Sequence, residues 1–167
     1  MTGVLPPPRV PGRYAVALVC LGNICRSPTA QVVLEDRLSA MGLADRVVVR
    51  SSGTGNWHVG QPMDRRAAAT LSEAGYDPSR HRAQQYDDSW ADQDDLVLAM
   101  DHENLADLGG RSERIGLFRD FDPESPGSDV PDPYYGGRDT FAEVLAIVER
   151  TCDALVAGLV VLLGQDA

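Results

Sequence analysis

There is no lysine in this chain: all fifteen basic residues are arginine. That bias is read as genome composition, and nothing functional is built on it. Cysteine is scarce too. Cys20, Cys25 and Cys152 make an odd three, which suits a reducing compartment and leaves no disulfide framework to assemble. No second cysteine or histidine pair completes a zinc site around Cys20 and Cys25, and His58, His81 and His102 show no ligand spacing, so no zinc knuckle is expected. Long apolar runs are missing as well. The C-terminal run "LVAGLVVLLG", Leu155–Gly164, is far shorter than the ~20 residues of a membrane span. Near the other end, "RYAVALVCLG" is interrupted by Gly22, Asn23 and Arg26 and lacks a small-residue cleavage site, so no signal peptide is expected. Val19 likewise stands where a lipoprotein would carry a small residue before its cysteine. Positive charge is in deficit: a net charge of −10 argues against nucleic acid or an anionic membrane as partner. Any anion bound here must be held by local groups, because the overall field repels it.

What is present is 167 residues, 43% hydrophobic and 24% charged, the composition of one soluble globular domain with a proper core. The cytoplasm is the expected location, and export by a route that needs no signal peptide is also compatible. "MTGVLPPPRVPG" has no periodicity and reads as a flexible arm over residues 1–13, with a single domain over 14–167. Tyr14–Cys20 is a β-branched, apolar run suited to a strand buried on both faces. Ser27 and Pro28 fit the cap and first residue of a helix that stops at Gly42. Further strands are expected over 46–51, 95–100 and 115–118, and further helices over 64–74, 101–108 and 139–163. This alternation implies an α/β fold, a parallel sheet covered by helices, with ligands beyond the carboxyl ends of the strands. The acidic runs "YDDSWADQDD" and "FDPESPGSDVPD" read as solvated loop.

The loop "CLGNICRSP" sits at such a strand end. A cysteine between a strand and a helix N-terminus meets unpaired amides and partial positive charge, an environment suited to a thiolate. Between Cys20 and Arg26 the residues Leu21, Gly22, Asn23, Ile24 and Cys25 must curl with their amides inward, forming an anion nest. Gly22 is expected to supply a backbone angle other residues resist, and Asn23 tolerates the left-handed region. Arg26 can close the ring with a planar fork, and Ser27 can donate to the sulfur. A thiolate in a phosphate cradle suggests covalent catalysis, which calls for a general acid. Asp132, stiffened between two prolines in "DVPDPYYGGRD", is the candidate, with Tyr134 and Tyr135 as aromatic walls.

"VCLGNICRSP" early and "DPYYGG" late together resemble the low-molecular-weight protein tyrosine phosphatase family, over nearly the whole chain from Tyr14. The resemblance implies a three-layer α/β fold, with a four-stranded parallel sheet of flavodoxin-like topology. It implies Cys20 as nucleophile, Arg26 as phosphate clamp and Asp132 as proton donor, with Asn23 and Ser27 holding the loop's shape and Trp57 joining the tyrosines on the rim, and it implies no metal or cofactor. Cys25 matches a position where a second cysteine can form a reversible disulfide with the nucleophile, though plain packing competes for that residue. Cys152 reads as core. Asp101 reads as a helix cap that could also orient the site, and His81 at most as a buttress of the loop. The implied partners are phosphotyrosine-containing proteins, with inorganic phosphate or another oxyanion as product or inhibitor.

Three rivals share the loop. Thioredoxin-coupled arsenate reductases need two further cysteines, and residues 83–95 contain none. Arginine phosphatases of related sequence carry threonine where this chain has Ile24, whose apolar branch offers a phosphoguanidinium no partner. A binding module that has lost turnover would be expected to have lost Cys20, Arg26 or Asp132, and all three are present.

Overall fold

The computed structural model describes residues 3–164, so residues 1–2 of the expected arm and 165–167 of the expected domain lie outside the described residues. Four strands, β1 (Tyr14–Cys20), β2 (Val47–Gly53), β3 (Leu96–Ala99) and β4 (Ile115–Leu117), form one parallel sheet in the order β2-β1-β3-β4. The helices are α1 (Arg26–Ala40), α2 (Arg65–Glu73), α3 (Trp90–Gln93), α4 (His102–Asp107) and α5 (Arg138–Gly164), with a 3-10 turn at Phe118–Phe121. Strand alternation sorts the core into two faces. Tyr14, Val16, Leu18 and Cys20 of β1 point into the main core under α1, α2 and α5, whereas Ala17 and Val19 pack with Trp90 of α3 on the other face. Leu105 of α4 joins Ala99 and Leu117 there. The result is the expected three-layer, flavodoxin-like arrangement. The strand order reverses between β1 and β3, which places the loops after both strands side by side at the switch point.

Several boundaries differ from the sequence reading for identifiable reasons. Helix α1 starts at Arg26, with Cys25 as a cap that makes no side-chain bond. Ser27 is therefore not the cap: it lies in the first turn, and its hydroxyl is engaged by Cys20 and Asn23 instead. Pro28 falls among the first four helical positions, whose N–H groups lack an intrahelical acceptor, so it forfeits no helical hydrogen bond. Gly42 ends the helix at φ 73°, with Leu43 N–H returning to Leu38 O at 2.8 Å. Strand β2 runs on to Gly53 because Ser52 and Gly53 pair with Val19 and Cys20, under the loop.

The acidic runs are not merely solvated. Asp95 is buried, and its two oxygens accept the N–H groups of Ala15 and Arg9, each at 2.7 Å. Residues 3–13, read as an arm, have no regular secondary structure and are tied to the domain through Arg9, Pro6 O and Gly3 N. Asp122 is fully buried between Arg119 (2.9 Å) and Arg150 (2.9 Å). Burial opposes its charge, but Arg150, the Glu124 N–H and Arg119 outweigh it and bring its pKa down to about 2. A lone buried carboxylate would cost several kcal/mol, and it is two arginines for Asp122 and two backbone N–H groups for Asp95 that allow these acids inside.

Candidate active site

The turn after β1 is built around Asn23, the one non-glycine residue with a positive φ (57°) among the described residues. That conformation costs about 1–2 kcal/mol for an L-residue, and four hydrogen bonds offset it. Asn23 Nδ2 donates to Ser27 Oγ (2.8 Å) and Ser51 Oγ (3.0 Å), while Oδ1 accepts Gln84 N–H (2.9 Å). Its carbonyl accepts from His81 Nε2 at 2.6 Å. Burial lowers the His81 pKa against the pull of that carbonyl, so the ring stays neutral near pH 7 with its proton on Nε2. Gly22 does not take the left-handed angle expected of it. It supplies room, because a Cβ there would sit 3.1 Å from the His58 ring. Gly53 does the same from below: a Cβ would come within 2.6 Å of Leu21 O, so the loop backbone can lie directly on β2.

The Cys20 sulfur receives the Asn23 N–H at 3.2 Å and lies 2.9 Å from Ser27 Oγ. Asn23 Nδ2 donates to that hydroxyl, whose own proton has two acceptors within reach, the sulfur at 2.9 Å and Ser52 O at 3.4 Å. Arg26 is buried to 3% exposure, and its NH1 donates to Asp101 Oδ2 (2.6 Å) and Val130 O (3.1 Å). Its NH2 stands 3.6 Å from Asp132 Oδ2. Burial works against the Arg26 charge, but the Cys20 sulfur, Asp101 and Asp132 together raise its pKa. Asp101 fills both roles considered for it: one oxygen holds Arg26 and the other caps α4 through Asn104 N–H at 2.7 Å.

Cys20 and Arg26 floor a cavity of about 290 Å³, whose walls are Trp57, His58, Tyr134 and Tyr135, with Asp132 at its side. Leu21, Gly22, Ile24 and Cys25 also reach it, whereas Asn23 and Ser27 are buried beneath the loop. Trp57 lies flat over Gly55, where a Cβ would collide with the ring at 2.0 Å. Tyr134 and Tyr135 meet edge to face, with centroids 4.9 Å apart. Three exposed aromatics around an oxyanion cradle fit a phosphorylated phenol. Cys25 is a buried free thiol whose pKa is pushed up, first by burial and then by Asp64.

Sequence reasoning passed over His58 on the wall and Ser51, Gln84 and Asp64 behind the loop. Asp64 N–H donates to Ile24 O at 2.9 Å. A local signal existed only for Asp64, a cap before a helix; Ser51 is placed by the register of β2, and His58 and Gln84 by how their loops pack on the phosphate loop. Among the described residues no cluster of three His, Cys, Asp or Glu could hold a metal, and no helix is long and apolar enough to cross a membrane.

A family model described as low molecular weight phosphotyrosine protein phosphatase matches residues 15–161. The chain is 42% identical to a low molecular weight protein-tyrosine-phosphatase of Streptomyces coelicolor, covering 87% of this chain and 93% of that one. It is 44% identical to the low molecular weight protein-tyrosine phosphatase A of Mycobacterium tuberculosis, covering 84% and 88%. The crystal structure of YfkJ from Bacillus subtilis superposes with a TM-score of 0.82 at 33% identity, covering 88% and 94%. A cysteine-floored oxyanion cradle under an aromatic rim, on a chain matched across this length, leaves one assignment: the protein belongs to the low-molecular-weight protein tyrosine phosphatase family, hydrolases that release phosphate from protein phosphotyrosine through a phosphocysteine intermediate.

Proposed function

We propose that in this chain Cys20 is the nucleophile, Arg26 the phosphate clamp and Asp132 the proton donor, acting on phosphotyrosine-containing proteins in the cytoplasm. The observation that carries this reading is their convergence. Residues 20 and 26 of the loop after β1 and residue 132 of a remote segment line one cavity, with Arg26 NH2 3.6 Å from Asp132. The substrate ring enters between Trp57 and the two tyrosines, and the phosphate settles on the amides of residues 21–26. The Cys20 thiolate attacks phosphorus in line, and the bond to the phenolic oxygen breaks as Asp132 protonates that oxygen. Arg26 and the amides hold the equatorial oxygens as charge builds on them. Asp132 then takes a proton from water, the water oxygen attacks phosphorus, and sulfur departs to the Asn23 N–H and the Ser27 hydroxyl. Inorganic phosphate leaves as product. Ile24, apolar and on the cavity wall, disfavours phosphoarginine.

The acid role is tested with a series of aryl phosphates whose phenols differ in acidity. Asp132→Ala should lower kcat/KM on phenyl phosphate by about 10²-fold or more, and on p-nitrophenyl phosphate far less. Equal losses across the series would overturn the assignment.

Cys25 is proposed as the resolving thiol under oxidation. It stays protonated, so peroxide reacts first at Cys20, giving the sulfenic acid; condensation with the Cys25 thiol then releases water and forms a disulfide. After peroxide exposure long enough to carry an unprotected sulfenic acid on to the irreversible sulfinic acid, wild type should regain activity with dithiothreitol, and Cys25→Ser should not. Equal recovery by both would reduce Cys25 to packing.

A further inference from the structure

We propose that Arg66 is a positioning residue for proton transfer, fastening the segment that carries Asp132 to the phosphate loop. This rests on Asp132 being the acid. From Pro131 to Gly137 the chain has neither helix nor strand, so something outside the segment must fix it. Arg26 touches its start, at Val130 O and Asp132. A bound phosphate, however, takes up the same guanidinium. Arg66 holds the other end and is not needed by the phosphate. Its guanidinium centre lies 5.5 Å from the Tyr134 ring and 4.8 Å from the Phe141 ring of α5, and its NH1 is 3.4 Å from Gly136 O.

Behind Arg66 stands Asp64. Its carboxylate holds the guanidinium at two points, Nε to Oδ1 at 3.2 Å and NH2 to Oδ2 at 3.1 Å, while capping α2 through the N–H groups of Arg66 (2.8 Å) and Ala67 (3.3 Å). Asp64 N–H is bonded to Ile24 O of the phosphate loop. A continuous path thus runs from the loop amides through Asp64 and Arg66 to Tyr134, whose N–H binds Asp132 Oδ1 at 3.1 Å. Exposed ion pairs add little to stability, and the cap needs only the backbone of residue 66. The side chain's planar face and fork, which lysine lacks, are what the acid segment uses.

The same aryl phosphate series decides it, with five proteins: wild type, Arg66→Ala, Arg66→Lys, Asp132→Ala and the double variant of Arg66→Ala with Asp132→Ala. Arg66→Ala should lose about tenfold in kcat/KM on phenyl phosphate, a fraction of a general acid's usual contribution, and almost nothing on p-nitrophenyl phosphate. Arg66→Lys should resemble the alanine variant. In the Asp132→Ala background the Arg66 effect should vanish. Losses equal across the series, losses that persist without Asp132, no loss at all, or lysine matching arginine would each overturn the proposal. Should the alanine variant melt early, Arg66→Gln, which keeps the stem over Phe141, carries the same expectations. Failure of the acid assignment itself reads out separately, as a uniform loss in Asp132→Ala alone.

Discussion

Cys20→Ser should have no measurable turnover, a loss of at least ~10⁴-fold, and should still bind phosphotyrosine peptide within a few-fold of wild type. The hydroxyl is a far weaker nucleophile than the thiolate, whereas the groups proposed to grip phosphate, Arg26 and the loop amides, are untouched. Ser27 Oγ, 2.9 Å from the sulfur, and the Asn23 N–H, at 3.2 Å, can bond a serine oxygen in place of sulfur, so the loop should keep its shape. Phosphate release from matched phosphotyrosine, phosphoserine and phosphoarginine peptides, with this variant as the blank, measures both halves. Release from phosphotyrosine alone, abolished in the blank, is the expected result. Residual catalysis in the blank would remove Cys20 from the nucleophile's role, and a preference for phosphoarginine would overturn the reading of Ile24.

Arg26→Ala should be nearly as severe, lowering kcat/KM on the order of 10³-fold with KM raised as well. Removing one preorganised donor from a developing oxyanion costs about 10²–10³, and here two N–H groups and a full charge go together. The variant should also be less stable, by about 2 kcal/mol, short of the ~3–5 kcal/mol of a wholly buried pair. Asp101 is left without its cation, but it is partly exposed and still caps α4. Kinetics and a urea melt check the two effects, and Arg26→Lys separates charge from geometry. Lysine should recover stability better than rate, because one ammonium cannot reproduce a fork that meets phosphate and Asp101 at once.

The phosphate loop and the acid segment were legible because their chemistry is written in adjacent letters. Cys20 through Pro28 and Asp132 through Gly137 are contiguous, and the loop's position at the end of a buried strand follows from the apolar run before it. What misled was local habit. Ser27 before proline looks like a cap, yet its hydroxyl has a stronger claim on it from the sulfur and Asn23. Gly22 looks like a turn residue, yet it makes space for His58. Asp94, Asp95 and Asp122 look like solvated acids, and each is buried against arginine or backbone N–H groups that lie far away in sequence or on another element. Gln84 beneath Asn23 and Arg66 beside Tyr134 depend on how elements pack, which no spacing rule encodes.

Arg26 reaches Asp101 across 75 residues and Val130 across 104. Arg26 is therefore aimed by groups far away in the sequence, so no short fragment of the chain holds the finished cradle. An oxyanion gripped there is held by a guanidinium that is itself anchored to a remote segment, so it binds the assembled fold and not the unfolded chain. By linkage, free phosphate at a hundred times its dissociation constant raises the stability of the whole fold by about 2.7 kcal/mol. The reaction product is thus also a folding ligand, and the enzyme is most resistant to unfolding when its site is occupied.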